Sequence, residues 1–205
     1  GGQYEFGTTD VTRTISLQNK NKRIKNIFTR VLKGHIAVSS FKIKQNTTGS
    51  QNTAIGYNAM QANTTAGNNT AVGSQALDAN TTGTQCTAVG MSALTSNTTA
   101  SNATAVGYNA MQANTTGSSN TAVGSGALYS NTTGSENTAV GISALNTQNG
   151  GGSNTAIGER AGQSLTNAGQ CTFLGSFAGA GVTTGGANIL IGREAGTSGT
   201  SVTTG

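Results

Sequence analysis

The chain of 205 residues contains 31 Gly, no Pro and no Trp, and only 8% of its residues are charged, against about 25% in typical soluble domains. Hydrophobic residues make up 34% and aromatic residues 4%, which is too little bulky apolar material for one thick globular core. The composition therefore argues against an ordinary enzyme domain with a charged surface.

Residues 1–45 form the basic part of the chain. They hold nine of the eleven Lys and Arg residues and two of the six acidic residues, whereas residues 46–205 hold two Arg and four acidic residues. Alternating patterns predict strands at residues 11–17 and, with one break, at 36–43. The stretch IKNIFTRVL between them fits a helix or a strand. The charge asymmetry predicts a small basic, β-rich N-terminal module that ends near Gln45.

Residues 46–205 carry a regular repeat of 17 residues. A Gly recurs at this interval through eight successive steps, preceded by Ile, Val or Leu and followed three residues later by Ala. The unit reads roughly N-T-A-V/I-G-x-x-A-L-x-x-N-T-T-G-S-x. Nine glycines define the repeat, and they are the structural residues that the sequence singles out: Gly56, Gly73, Gly90, Gly107, Gly124, Gly141, Gly158, Gly175 and Gly192.

Each unit contains the signals of two short strands and two turns. Thr-Ala-Val before the Gly predicts a strand that ends in a bend, and Asn-Thr-Thr-Gly is typical of a turn because Asn and Gly tolerate the left-handed region. So small a unit cannot bury its own apolar face, and it must stack on its copies at about 4.8 Å. The sequence therefore predicts an all-β fold, a parallel β-solenoid or β-roll of 17-residue coils.

Stacking places each residue above its equivalent in the next coil. We expect a core of the aliphatic, Leu/Met and Ala columns, and a ladder of side-chain amides along the Asn column. Burying each large side chain contributes about 1.5–3 kcal/mol, against an ordering cost of about 1–2 kcal/mol per residue, so a single roll is marginal. We therefore expect a homotrimer, with a monomeric solenoid as the alternative. The Asn column comprises Asn46, Asn63, Asn80, Asn97, Asn114 and Asn131.

The coils divide into a regular set, residues 46–158, and a variant set, residues 159–205. In the variant set Gly replaces the Leu or Met of the earlier coils, and apolar bulk enters elsewhere, as at Leu165 and Phe173. This change indicates either a different cross-section of the stack or a cap at its end.

The repeat units resemble those of a known class of proteins. NTAIGYNAMQANTTAG, NTAVGSQALDANTTG and NTAVGSGALYSNTTG are similar to the repeats of phage tail-fibre and related adhesin proteins and, more distantly, to the head β-rolls of trimeric autotransporter adhesins. The segment SLQNKNKRIKNIFTRVLKGHIAVSS, residues 16–40, resembles a stretch of phage fibre shafts.

The resemblance implies a homotrimeric fibre of a phage or virus, an extracellular appendage of the virion that serves as a rigid shaft and host-surface adhesin. Residues 1–45 would then attach to other virion fibre or baseplate proteins, or to another shaft segment. The repeat would bind a glycan or protein on the host cell. The sequence does not identify the receptor-binding residues.

The chain offers few candidates for catalysis or metal binding. His35 is the only His and has no acidic or nucleophilic neighbour in sequence, so we expect a structural role. The acidic residues of the repeat fall at four different repeat positions and form neither a stacked carboxylate pair nor a calcium ladder. We therefore predict no enzyme, no catalytic or metal site and no cofactor.

Cysteines and partners add further expectations. Cys86 and Cys171 share one repeat position and lie five coils apart, roughly 24 Å, which is too far for a disulfide within the chain. The basic module has no recognised RNA-binding motif, so we expect no nucleic-acid partner. No apolar run approaches the roughly 20 residues that span a bilayer, so we expect no membrane insertion.

Other functions remain open. A regular Thr column is compatible with a monomeric surface-binding solenoid such as an ice-binding protein. Such faces need two outward ranks, and the column beside the Thr residues, which is apolar or Ala, is expected to point inward. A bacterial surface adhesin would use the same architecture. A glycan-cleaving spike would need a carboxylate pair, which only neighbouring chains of a trimer could assemble.

Overall fold

The computed structural model describes residues 49–197, which lie within Phe41–Gly205, the second of two units into which the chain divides. The predictions for residues 1–45, including His35, and for Asn46 fall outside the described residues. The described part contains no helix and nine strands of three residues: β1 (Thr53–Ile55), β2 (Thr70–Val72), β3 (Thr87–Val89), β4 (Thr104–Val106), β5 (Thr121–Val123), β6 (Thr138–Val140), β7 (Thr155–Ile157), β8 (Thr172–Leu174) and β9 (Ile189–Ile191).

The nine strands form one parallel sheet in chain order. Thr53 pairs with Thr70 and Ala54 with Ala71, and this offset of 17 residues persists through the pairing of β8 with β9. Consecutive strands can be parallel neighbours only if the chain makes a full circuit between them. Each repeat is therefore one coil, and the predicted all-β, parallel solenoid of 17-residue coils is confirmed.

Each described coil contains one strand, so the prediction of two strands per unit was wrong. The chain after each strand alternates into the left-handed region, as at Gln75 (φ 58°) and Leu77 (φ 55°), and such residues interrupt an extended backbone. Hydrogen bonds between coils continue there nevertheless. The backbone N–H of Leu77 donates to the carbonyl of Ala93 at 3.0 Å, and that of Thr81 donates to the carbonyl of Thr98 at 2.9 Å.

The nine repeat glycines bend the chain at the end of every strand. Their φ angles lie between 117° and 139°, which L-residues rarely adopt. Close approach of the coils adds a second requirement. A Cβ on Gly124 would lie 2.4 Å from the carbonyl oxygen of Gly141 in the next coil. Gly192, in the last described coil, has no atom within 4 Å of such a Cβ.

The core is a narrow column of Ala and Leu or Met side chains inside the coils. Leu94 and Met111 are fully buried, as is Ala105 at the middle of β4, so the inward Leu/Met and Ala columns are confirmed. The aliphatic residue that ends each strand was predicted in this core, and that prediction was wrong: Val106 is 37% exposed. Side chains alternate across a strand, so an inward Ala turns both of its neighbours outward.

Buried Asn side chains hydrogen bond from coil to coil, which confirms the predicted amide ladder. Nδ2 of Asn114 donates to Oδ1 of Asn97 at 3.0 Å, and Nδ2 of Asn131 donates to Oδ1 of Asn114 at 2.8 Å. Nδ2 of Asn114 also donates to the carbonyl of Gly117 at 3.0 Å, which closes the Asn-Thr-Thr-Gly turn. The ladder thus satisfies amides that would be costly to bury unpaired. Its described members are Asn63, Asn80, Asn97, Asn114 and Asn131.

A second buried column, which was not predicted as a ladder, lies directly before the strands. Oδ1 of Asn120 accepts from the backbone N–H of Asn137 at 2.9 Å, and Nδ2 of Asn120 donates to the carbonyl of Gly134 at 2.7 Å. Cys86 stands in this column, and its backbone N–H donates to Oδ1 of Asn69 at 2.8 Å. The two columns bind the coils together from inside.

The first Asn ladder ends at Gln148, and this end predicts a stabilising substitution. Among the described residues, Oδ1 of Asn131 and Oε1 of Gln148 are buried without a hydrogen-bond partner, while Nε2 of Gln148 donates to the carbonyl of Ala168 at 3.2 Å. We expect Gln148→Asn to add one rung and to raise the free energy of unfolding by about 1 kcal/mol, measured by urea denaturation. Asn114→Gln, a matched exchange within the ladder, should lower it.

The variant coils exchange the large core side chain between two repeat positions. Phe173, in β8, replaces the inward Ala of the earlier strands, and Gly162 and Gly179 replace Leu or Met. A Cβ on Gly179 would lie 2.4 Å from Cδ1 of Phe173, and one on Gly162 would lie 2.6 Å from Cδ2. The ring thus fills the space that Leu or Met fills elsewhere, which confirms that apolar bulk enters from other positions.

Candidate interaction surface

The outward side of the nine-stranded sheet presents two columns of side chains. Strand residues one and three point away from the buried middle residue, so the Thr residues that begin the strands and the aliphatic residues that end them share one face. We call these two columns the sheet face. A third exposed column, which we call the post-glycine column, consists of the residues directly after the repeat glycines, such as Tyr57 and Ile142.

Large apolar side chains are exposed along these columns. Ile157 in the sheet face is 41% exposed, and Ile142 in the post-glycine column is 58% exposed. Tyr57, Met91 and Tyr108 are exposed in the same column. Monomeric soluble proteins seldom expose contiguous apolar patches larger than a few hundred Å², so such a surface is typical of an interaction site.

Charge is absent from this surface in the first six described coils. Between residues 53 and 142 the sheet face and the post-glycine column contain no Lys, Arg, Asp or Glu, because Asp78 and Glu136 stand at other repeat positions. Glu159 and Arg193 enter the post-glycine column in the variant coils, where Arg193 Nη2 lies 2.9 Å from Oε1 of the adjacent Glu194. A neutral surface favours apolar contact over ionic recognition.

The Thr column and the aliphatic column are both outward ranks. The pairing of Thr104 with Thr121 and of Val106 with Val123 keeps each rank in register along the sheet. The neighbouring column, apolar or Ala, was expected to point inward: the Ala column directly beside the Thr residues does so, whereas the aliphatic column after it points outward. Successive side chains within each rank are therefore about 4.8 Å apart, and the two ranks are about 6.6 Å apart, which is two residues along a strand.

The acidic residues of the described coils occupy four different repeat positions. No group of three or more His, Cys, Asp or Glu residues that could hold a metal ion occurs within residues 49–197. Burial raises the pKa of Asp78. Oε2 of Glu136 accepts a hydrogen bond from Oγ of Ser153 at 3.0 Å on the exposed surface.

Residues 49–197 also include no helix that could cross a membrane.

The two cysteines are free and buried, as their separation along the stack predicts. Sγ of Cys86 lies 3.3 Å from the carbonyl of Ala100, and burial raises the pKa of this thiol. Sγ of Cys171 lies 3.4 Å from the carbonyl of Gly185. Both thiols point into the roll.

Thiol chemistry should therefore report on the integrity of the coils. We expect an aromatic disulfide reagent to leave both cysteines unmodified in the folded protein, because the thiolate is the reactive form and both sulfurs are buried. After denaturation in urea, two thiols per chain should react. Rapid reaction of the native protein would contradict the inward placement. Thr133→Cys, which adds a thiol at an exposed position of the Asn-Thr-Thr-Gly turn, outside the sheet face, serves as the positive control.

Comparison with known proteins identifies only a short stretch of similarity. Aminopeptidase P2 of Arabidopsis thaliana is 47% identical over 49 residues, which is 24% of this chain and 7% of that protein. A probable Xaa-Pro aminopeptidase P of Laccaria bicolor is 49% identical over 49 residues, 8% of its length. Aminopeptidase P1 of Arabidopsis thaliana is 39% identical over 49 residues, also 8% of its length.

The chain therefore spans less than a tenth of the length of the curated relatives it matches. A match of this extent does not place the chain in that family. No protein-family model matches the chain, and no solved structure matches it.

Proposed function

We propose that the chain is a structural fibre protein of a phage or virus, a rigid shaft and host-surface adhesin without enzymatic activity. The observation that carries the proposal is the uninterrupted stack of nine strands in constant register, without an insertion in any coil. The resemblance of the repeat to phage tail-fibre and adhesin repeats supports the same conclusion. In this proposal the protein is part of the virion.

Rigidity is the property that a shaft requires, and the stack supports it physically. The backbone N–H of Gly124 donates to the carbonyl of Val106 at 2.8 Å, and that of Leu128 donates to the carbonyl of Ala144 at 2.9 Å. Each coil is thus bonded to the coil before it and to the coil after it, at different points of its circumference. Bending the stack would break several of these bonds together, and nine strands extend over roughly 40 Å.

The proposed partners follow from this role. Copies of the chain form a homotrimer, residues 1–45 attach to other virion fibre or baseplate proteins, and a glycan or protein of the host cell surface is the ligand. Light scattering of the full chain should give three times the chain mass of 20.3 kDa. A monomer at micromolar concentration would contradict the trimer.

Adhesion is tested on bacterial cells. We expect the fluorescently labelled full chain to bind some strains of a diverse panel saturably. Binding should fall after enzymatic removal of surface polysaccharide if the receptor is a glycan, or after protease treatment if it is a protein. Heat-denatured protein is the control. Absence of saturable binding across the panel would contradict the adhesive role. Release of soluble saccharide during incubation would contradict the non-enzymatic role.

The two outward ranks favour a second candidate, an ice-binding solenoid. Thr104 and Val106 of one strand align with Thr121 and Val123 of the next, which gives a regular two-rank array. This candidate predicts thermal hysteresis of the full chain and its loss in Thr121→Tyr, because a bulky ring would disrupt the array. No hysteresis in the unmodified protein would exclude it. Immunolabelling distinguishes a virion fibre from a bacterial surface adhesin, because the antibody would label virions in the first case and bacterial cells in the second.

A further inference from the structure

We propose that the sheet face is the surface through which copies of this chain associate, side by side, parallel and in coil register. The inference rests on the proposed fibre and identifies the residues that join its chains. It assigns a role to the aliphatic column, whose side chains the structure turns away from the core.

The outward columns of the coils differ in polarity. Val106 and Val123 end adjacent strands and are exposed, with no charged side chain at equivalent positions of the sheet face. Exposed residues two positions before the strands are polar, as at Asn102 and Ser119. Of these surfaces the sheet face is the one whose removal from water is favourable.

The exposed surface formed by these columns is large enough for an interface between chains. A three-residue strand is about 10 Å wide, and nine strands extend over roughly 40 Å. Together with the adjoining post-glycine column, the surface amounts to roughly 500 Å² on each chain, near the upper limit for a patch on a typical monomer. In the proposed trimer three such surfaces would meet and bury about 1,500 Å² in total, which is above the threshold of about 1,000 Å² for a specific interface.

Side chains within each column repeat at a constant interval along the stack. Val106 and Val123 are neighbours in the sheet and repeat at the strand spacing of about 4.8 Å. Only a partner with the same repeat meets equivalent groups along the whole length. A second copy of this chain necessarily has that repeat. Cyclic symmetry about an axis along the stack keeps equivalent coils at one height, so every coil of one chain meets the same coil of its neighbours.

The experiment compares two pairs of substitutions in the full chain by sedimentation equilibrium from 1 to about 50 µM. Val106→Asp with Val123→Asp places two charges on the sheet face, and the matched control, Asn102→Asp with Ser119→Asp, places two charges on the polar column. We expect the wild type and the control to remain oligomeric and the sheet-face variant to be monomeric. Far-UV circular dichroism checks that each variant is folded.

A milder pair covers the case in which the Asp variant does not fold. Val106→Thr with Val123→Thr keeps the shape of the side chains and should weaken association at least about tenfold, equivalent to about 1.4 kcal/mol. An oligomer that is unchanged in the folded sheet-face variants would overturn this interface while leaving the proposed fibre intact. A monomeric wild type overturns the interface, and if it also shows thermal hysteresis, the sheet face binds ice instead. The cell-binding assay tests the proposed adhesive function independently of this interface.

Discussion

Gly124→Ala is expected to lower the free energy of unfolding by about 3 kcal/mol or more. The φ angle of Gly124 is 136°, and holding an Ala in a sparsely populated backbone region costs about 1–3 kcal/mol. The new Cβ would also lie 2.4 Å from the carbonyl oxygen of Gly141. That backbone is held by the hydrogen bond from the N–H of Gly141 to the carbonyl of Val123 at 2.8 Å, so the clash cannot relax without separating the coils.

Gly192→Ala is the matched control for this substitution. Gly192 occupies the same repeat position with a φ angle of 117°, but a Cβ there meets no atom within 4 Å. We expect only the conformational cost, about 1–3 kcal/mol. Urea denaturation followed by far-UV circular dichroism measures both variants. Equal losses would contradict a role for coil contact in selecting the repeat glycines.

The period of the repeat was sufficient to predict the architecture. β1 to β7 begin at the Thr that precedes Ala and the aliphatic residue, β8 begins at the equivalent Thr172, and all nine strands end one residue before a repeat Gly. The reason is that stacking requires every coil to have the same length, so a constant interval in sequence becomes a constant register in the sheet. The Asn ladder was predictable for the same reason.

The inward and outward sides of the strand were not predictable from hydrophobicity alone. In Thr-Ala-Val the larger apolar residue is Val, yet the narrow interior already holds Leu or Met and has room only for the Ala. The variant coils contain the signal that was missed. The inward Ala becomes Phe173 or Leu190 where Leu or Met has become Gly179 or Gly196. This exchange indicates that the two repeat positions share one space.

The prediction of a second strand in each unit failed for a different reason. Leu128 and Leu145 are left-handed, at φ angles of 50° and 49°, although Leu gives no local signal for that conformation. The same repeat position is Gly162, Gly179 and Gly196 in the variant coils, and each of these is left-handed too. Reading all coils together would therefore have indicated a turn where one unit indicated a strand.

Because Phe173 fills the space that Leu or Met fills in the regular coils, its removal is expected to have the second large effect on stability. Phe173→Ala should lower the free energy of unfolding by about 3–5 kcal/mol, because a fully buried ring is removed. Gly179→Leu should also destabilise the protein, because its Cβ would lie 2.4 Å from the Phe173 ring. The double variant restores the Ala and Leu combination of the regular coils. Gly179 has a φ angle of 65°, close to the left-handed angle that Leu145 adopts, so a Leu fits the backbone there.

We therefore expect the double variant to be more stable than the sum of the single losses predicts, by about 2 kcal/mol or more, measured by urea denaturation of all four proteins. Phe177→Ala with Gly179→Leu is the control. Phe177 is only half-buried, with the Arg160 guanidinium 5.4 Å from its ring centre, and it does not occupy the space beside Gly179. Strict additivity of Phe173→Ala and Gly179→Leu would contradict the exchange, because two residues that compete for one volume must be coupled energetically.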